Sequence, residues 1–315
     1  MDSSHALDVP IVSEENICLP LVVSAVSKYW GVDLPLAEAT EIATKYPGVK
    51  GSILAEGVGL AERHGLGSVI LNSSMRDLKR FIEMGLPPIV ILPGIKDVVQ
   101  HASLVIGYDE VEKTIFHYIP EPDKIGAIPE ETFDRQWEED DRLVLLIAPP
   151  DILAEAKIAG DNGTKSNRLC FDAEKQRLQG RGEEAAASLK RALELNPSNS
   201  TASCLYAGML NDANKTEAAE YYRRSIELNR RCYLAYRGLG NYCLKSGDYA
   251  GAEKYYSEAI GINPHRFAPI YKNRGVARLE QKKTDGARED LERYLEEMPD
   301  ARDRAAISQA LSELH

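Results

Sequence analysis

Cysteine, aromatic residues, long apolar runs and positive charge are all in short supply in this chain, and each shortage closes off a class of protein. Five cysteines, Cys18, Cys170, Cys204, Cys232 and Cys243, are scattered through 315 residues, and no CxxC pair occurs. So odd and dispersed a set is not a disulfide framework or a cysteine zinc site, and a reducing cytoplasm is its simplest home. The longest apolar run, near Leu143–Pro150, falls far short of the roughly 20 residues that a membrane helix needs. Membrane insertion is therefore not expected. The opening M-D-S-S-H-A-L-D-V-P has neither the basic start nor the apolar centre of a secretory signal, which again predicts a cytoplasmic protein. Lys and Arg together number 38 against 49 Asp and Glu, and the net charge of -11 argues against nucleic acid as a partner. No phosphate loop, nucleotide fingerprint or metal-ligand constellation is found, so no cofactor and no metal is expected. What remains is a chain with 43% hydrophobic residues, enough for real cores, and a length that suits two domains.

Residues 1–150 alternate between helical and strand patterns. Leu21, Val22, Ala25, Val26 and Tyr29 share one helical face, and Gly31 stops that helix. Leu36–Lys45 and Ser52–His64 read as further helices, the latter with Ser52 as its N-cap and Gly65 past its end. Ser74–Met84 is a fourth, closed by Gly85. Strands are expected at Val69–Leu71, Pro88–Leu92, Ala102–Tyr108, Thr114–Tyr118 and Leu143–Ala148, with a short helix at Glu130–Trp137. This order predicts an α+β domain. The acidic run Glu138–Asp141 reads as a solvated turn, and His117 as a surface or packing residue. Residues 151–165 read as a linker, with a short helix at Ile152–Ile158 and a flexible joint at Gly160–Ser166.

The second half is repetitive. Ala185, Ala218, Ala252 and Ala287 recur at intervals of 33, 34 and 35 residues. Seven residues after each stands Ala192, Ser225, Ala259 or Tyr294. Each unit ends at Asn196-Pro197, Asn229-Arg230, Asn263-Pro264 or Met298-Pro299. The clearest copy runs from Tyr236 to Pro264. Small residues let two antiparallel helices approach, Gly247 turns between them, and the Pro breaks the chain before the next unit. The pattern resembles the tetratricopeptide repeat, with four repeats over 166–301 and a polar capping helix over 302–315. That capping helix, Arg302–Leu314, closes the exposed end of a solenoid.

Two short motifs in the first half carry chemistry. N-I-C-L-P-L-V-V-S-A-V-S-K-Y-W-G puts Cys18 at a helix N-terminus, where the dipole favours thiolate. Q-H-A-S-L-V-I-G-Y-D puts His101 at the start of an apolar strand, as a general base for that thiol. G-S-I-L-A-E-G-V-G-L-A-E-R-H-G-L (Gly51–Leu66), L-P-P-I-V-I-L (Leu86–Leu92) and a late F-D-R-Q-W accompany them, and the likeness that these motifs carry extends over nearly all of residues 8–148. In this order they resemble the bacteriocin-leader peptidase family, papain-like domains that cut after double-glycine leaders.

The resemblance implies a papain-like α+β fold, Cys18 as nucleophile and His101 as base. It also implies three departures. Leu19 stands where the family has Gly. Val12 stands where the family has an oxyanion-donating Gln, and losing one such donor commonly costs about two to three orders of magnitude in rate. Ile119-Pro120 stands where the family has Asp-Pro; a shifted match offers Glu121-Pro122, with Glu121 as the carboxylate that orients the imidazole.

In the repeats, the groove positions fall on Arg237, Asn241, Lys272 and Asn273. They resemble part of the carboxylate clamp by which some tetratricopeptide arrays hold a peptide C-terminus. The leading expectation is a cysteine-peptidase-like protein acting on a peptide, with a repeat array that docks a peptide or protein. An inactive peptidase-like adaptor and an amidase or acyl transferase on the same Cys–His pair stay open beside it.

Overall fold

The computed structural model describes residues 4–10, 18–35, 37–38, 41, 45, 54–94, 99–119, 124–158 and 160–314. Among the described residues seven strands form one sheet. They are β1 (Ser4–Ala6), β2 (Gly67–Asn72), β3 (Ile89–Pro93), β4 (Gln100–Asp109), β5 (Thr114–Ile119), β6 (Lys124–Pro129) and β7 (Leu143–Ala148). Their order is β2-β7-β3-β4-β5-β6, with β1 paired to β4. The registers of β1 with β4, β2 with β7, β3 with β7, β4 with β5 and β5 with β6 are all antiparallel. The N-terminal region is thus an antiparallel-sheet domain with helices.

Every residue of β7 is buried, which explains why L-V-L-L-I-A reads as an unbroken apolar run rather than an alternation. Leu143, Leu145 and Ile147 face one core, shared with α1 (Cys18–Tyr29) and α2 (Leu54–Arg63). Val144, Leu146 and Ala148 face the other, shared with α3 (Met75–Glu83) and α4 (Glu130–Glu138). Helix α3 starts where Ser74 Oγ accepts from the Asp77 amide at 3.2 Å and turns Leu78, Phe81 and Ile82 inward. Gly85 follows it with φ +72°.

Two strands escape the sequence reading. β1 is only Ser-His-Ala, too short and polar to signal. It fits because Gly107 lies opposite Ala6; a Cβ there would stand 2.3 Å from the His5 carbonyl oxygen. β6 is masked by Gly126 and Pro129, both poor strand residues, and survives as an edge strand.

Two expectations are corrected. Gly160–Ser166 is not a flexible joint: Asp161 caps a helix, its carboxylate accepting from the Thr164 amide at 2.7 Å. Helix α6 (Asn162–Leu178) begins there, after the short α5 (Pro150–Glu155), and Ser166 and Asn167 are buried. The run Glu138–Asp141 is not a solvated turn either, since Glu139 and Asp140 are buried. Trp137 Nε1 donates to Leu143 O at 2.9 Å, and Arg142 clasps Asp134 at 2.7 and 3.0 Å, folding the turn against the sheet. The Ser52 cap and much of the helix read at Leu36–Lys45 lie outside the described residues.

The chain divides into two compact units: Met1–Leu92 with His101–Ala202, and Pro93–Gln100 with Ser203–His315. In the first, α6 packs beside β2 through a polar network, and α7 (Gly182–Leu195) packs on α6. Arg168 holds Glu62 at 2.6 and 3.1 Å. Asn167 donates to Asn72 Oδ1 at 2.9 Å, and Asn199 donates to Ser166 and Asn167 at 2.9 and 2.8 Å. Buried amides so paired are stabilised rather than penalised.

From α6 onward all elements are helical: α8 (Ser200–Asp212), α9 (Ala218–Leu228), α10 (Tyr233–Lys245), α11 (Tyr249–Ile262), α12 (Pro269–Glu280), α13 (Thr284–Glu297) and α14 (Arg304–Glu313). The recurring Ala185, Ala218, Ala252 and Ala287 are all fully buried, as are Ala192, Ser225 and Ala259 one helical heptad later. Asn196, Asn229 and Asn263 cap the outgoing helices, and their side chains accept from the amides of Ser198, Arg231 and His265. That turn chemistry is why the motif repeats Asn there. α14 buries no residue, as a cap facing solvent should.

Candidate functional site

Cys18 opens α1. Beyond it Val22, Val23, Ala25 and Val26 are buried, and at the far end the Trp30 indole donates to Ile147 O at 2.9 Å. From Val22 to Trp30 the chain is therefore pinned to the core. His101 is the second residue of β4 and half buried. Its neighbours Ala102, Leu104 and Ile106 lie in the same core cluster as Val22 and Val26. Helix α1 and the strand that carries His101 thus share one core. By alternation His101 has its face in common with Ser103 and Val105, and Val105 is paired with His117 on β5. Glu121 lies outside the described residues, as does Val12; Ile119 ends β5.

His117 is where the structure adds most to the sequence reading. It is buried, 2.8 Å through Nδ1 from Ser103 Oγ, and it packs edge-on against Phe133. Ser103 has one hydroxyl proton, and it goes to Tyr118 O at 2.9 Å. Ser103 Oγ must then accept from His117, so the imidazole carries its proton on Nδ1. Burial, with His101 nearby, pushes the His117 pKa down to about 4. His117 is a neutral packing residue at physiological pH, and Ser103 is not an activated nucleophile.

In the repeats each predicted groove residue has an intramolecular partner. The Arg237 guanidinium lies 4.7 Å over the Phe267 ring, and burial lowers its pKa. Asn241 Oδ1 accepts from Tyr256 Oη at 2.8 Å, and Asn273 hydrogen-bonds the same hydroxyl. The structure brings these two asparagines together across one tyrosine. Lys272 Nζ pairs with Asp303 at 2.6 Å and lies over Tyr294, whose hydroxyl donates to the same carboxylate at 2.7 Å. Arg266 was missed by sequence reading. It is fully buried, 4.9 Å above Tyr233, just after the inter-repeat turn. An Arg inside the apolar packing at His265-Arg266-Phe267 was its only signal.

No group of three or more metal-ligating side chains occurs among the described residues. No described helix is long and apolar enough to cross a membrane.

A tetratricopeptide-repeat family model matches residues 177–227 and 210–267. The C-terminal array is made of tetratricopeptide repeats. Such repeats are scaffolds for docking proteins or peptides. No curated protein matches the chain. Among solved structures, Pseudomonas aeruginosa pilF is 22% identical, covering 49% of this chain and 68% of its own, with a TM-score of 0.43. PilW, a type IV pilus biogenesis factor, is 17% identical over 52% of this chain and 74% of its own, with a TM-score of 0.44. A double-glycine motif protease from an AMS/PCAT transporter, solved with its leader peptide, is 20% identical over 46% of this chain and 94% of its own, with a TM-score of 0.36.

Proposed function

We propose that this protein is a papain-like thiol hydrolase of the bacteriocin-leader peptidase type, acting on a peptide and using its repeats to dock a protein or peptide partner. The observation that supports the reading is that α1, which Cys18 opens, packs on Ala102, Leu104 and Ile106 of β4, the strand whose second residue is His101; His101 itself alternates to the other face, with Ser103 and Val105. In this reading the His101 imidazole takes the Cys18 thiol proton. The thiolate then adds to a peptide carbonyl, the amine leaves with a proton from His101, and water releases the acyl group. Glu121 is the proposed orienting carboxylate. Arg237, Asn241, Lys272 and Asn273 remain the proposed peptide-facing positions of the repeats, and Lys272 would have to leave Asp303 to serve.

The test is the pH dependence of Cys18 alkylation by iodoacetamide, read by mass spectrometry in wild type and His101→Ala. Fast labelling below pH 7 that collapses in the variant supports the Cys–His pair. Labelling that follows an ordinary thiol in both proteins removes the enzyme reading. Ile119, where the resembling family has Asp, favours a second reading: a peptidase-like domain that binds peptides without cutting them. An amidase or acyl-transferase activity on the same pair would label Cys18 equally and is separated by its product.

A further inference from the structure

Helix α3 packs on the face of the sheet opposite to α1, and a cavity of about 500 Å³ opens between it, the turn after β4 and the start of α4. Apart from Met75, every residue that lines this cavity is charged. Such a lining is unlike the apolar pockets that enclose small molecules. Lys79 is half-buried in it, paired with Glu110 at 2.8 Å and Glu130 at 2.7 Å, and lies 5.1 Å from the centre of the Tyr108 ring. Arg76 and Arg80 stand one turn apart on the exposed side of α3, and neither has a hydrogen bond or ion pair among the described residues. The carboxylates around them are engaged elsewhere. Asp77 accepts from Ser74 Oγ at 2.8 Å, and Glu83 from Tyr108 Oη at 2.7 Å. Glu110 takes Lys113 at 2.7 Å besides Lys79. Two guanidiniums are thus left without an anion in a chain whose net charge is -11. Met84, an exposed apolar residue, continues their row one turn further on.

We propose that this face of α3 docks an acidic helical segment of a partner protein. Two carboxylates of that segment, one turn apart, pair with Arg76 and Arg80, and an apolar side chain rests on Met84. The spacing of the two arginines is the spacing of side chains on a facing helix. Each guanidinium presents a planar fork that a carboxylate meets at two points. Arg and Met are also residue types that protein interfaces favour. A nucleic acid fits less well. It carries a charge at every phosphate and would bring some of them against Glu83, Glu110 and Glu130, whereas a segment with two carboxylates need not. The docking site lies in the first compact unit and uses neither the Cys18–His101 pair nor the repeats.

Fluorescence anisotropy of the full chain with labelled synthetic helical peptides tests it. Each peptide carries two glutamates four residues apart, with a leucine one turn before or after them. Wild type should bind at least one of them saturably below millimolar concentration. The double variant Arg76→Ala with Arg80→Ala should bind about tenfold more weakly. Both residues are exposed, so its urea midpoint should match wild type. Arg76→Lys with Arg80→Lys keeps the charges without the planar forks and should fall between. Wild type should also lose the peptide when glutamines replace the glutamates, a control that needs no variant. Absence of saturable binding, or undiminished binding by the alanine variant, overturns the proposal. So does equal affinity for the glutamine peptide or for a single-stranded DNA of the same charge. Binding that is lost in Lys272→Met but kept in the alanine variant places the peptide on the repeats and overturns it as well.

Discussion

Gly238 in α10 should be the most sensitive small residue of the repeats. A Cβ at this position would lie 2.3 Å from Tyr222 Cε1, 2.4 Å from Cζ and 2.7 Å from the hydroxyl. These distances are well inside van der Waals contact. Tyr222 is only 5% exposed, so its ring has no room to swing away. Gly238→Ala must therefore push α9 and α10 apart. Overpacking of this kind costs about 1–3 kcal/mol. Ala is the better helix former, by about 1 kcal/mol. The net loss should be up to about 2 kcal/mol. Gly261 in α11 is the control, because a Cβ there would have nothing within 4 Å. Gly261→Ala should therefore gain up to about 1 kcal/mol. Urea unfolding followed by circular dichroism at 222 nm should move in opposite directions for the two variants. Gly238→Ala combined with Tyr222→Leu should recover part of the loss, since the two sites touch. A Gly238→Ala protein stabilised as much as Gly261→Ala would refute the close approach of α9 and α10.

The buried His117 should make stability fall as the medium is acidified. Its folded pKa of about 4 lies below the ordinary 6.5, so the unfolded chain takes up the proton first. The contribution is complete above about pH 6.5 and declines towards pH 4, by roughly 2 kcal/mol at pH 5. Urea unfolding of His117→Phe at pH 7 and pH 5 should lose less than wild type, and equal losses would contradict a neutral buried imidazole. Asn199→Ala should cost about 2–3 kcal/mol in thermal or urea unfolding, because it strips partners from Ser166, Asn167 and the Ala202 amide at once. A loss below half a kcal/mol would mean that water replaces the network. Lys272→Met should cost less than about 1 kcal/mol, as its pair with Asp303 is part-exposed; a larger loss by the same assay would make the pair structural.

The sequence by itself determined the repeats. Their period, their buried alanines and their Asn turns are local facts, because each helical hairpin packs mainly on its sequence neighbours. It also determined the central strand β7 and most helices of the first half, whose apolar spacing is strong. Tertiary structure alone decided the rest. β1 exists because Gly107, about a hundred residues away, leaves room for its backbone. Glu139 and Asp140 are buried because Trp137 and Arg142 fold their turn onto the sheet, which no acidic run announces. The proton position on His117 follows from where Ser103 sends its own. Arg266 is buried over the Tyr233 ring, a partner more than thirty residues away in the chain. Hydrogen bonds and charges settle according to what lies across the fold, and sequence proximity carries no record of that.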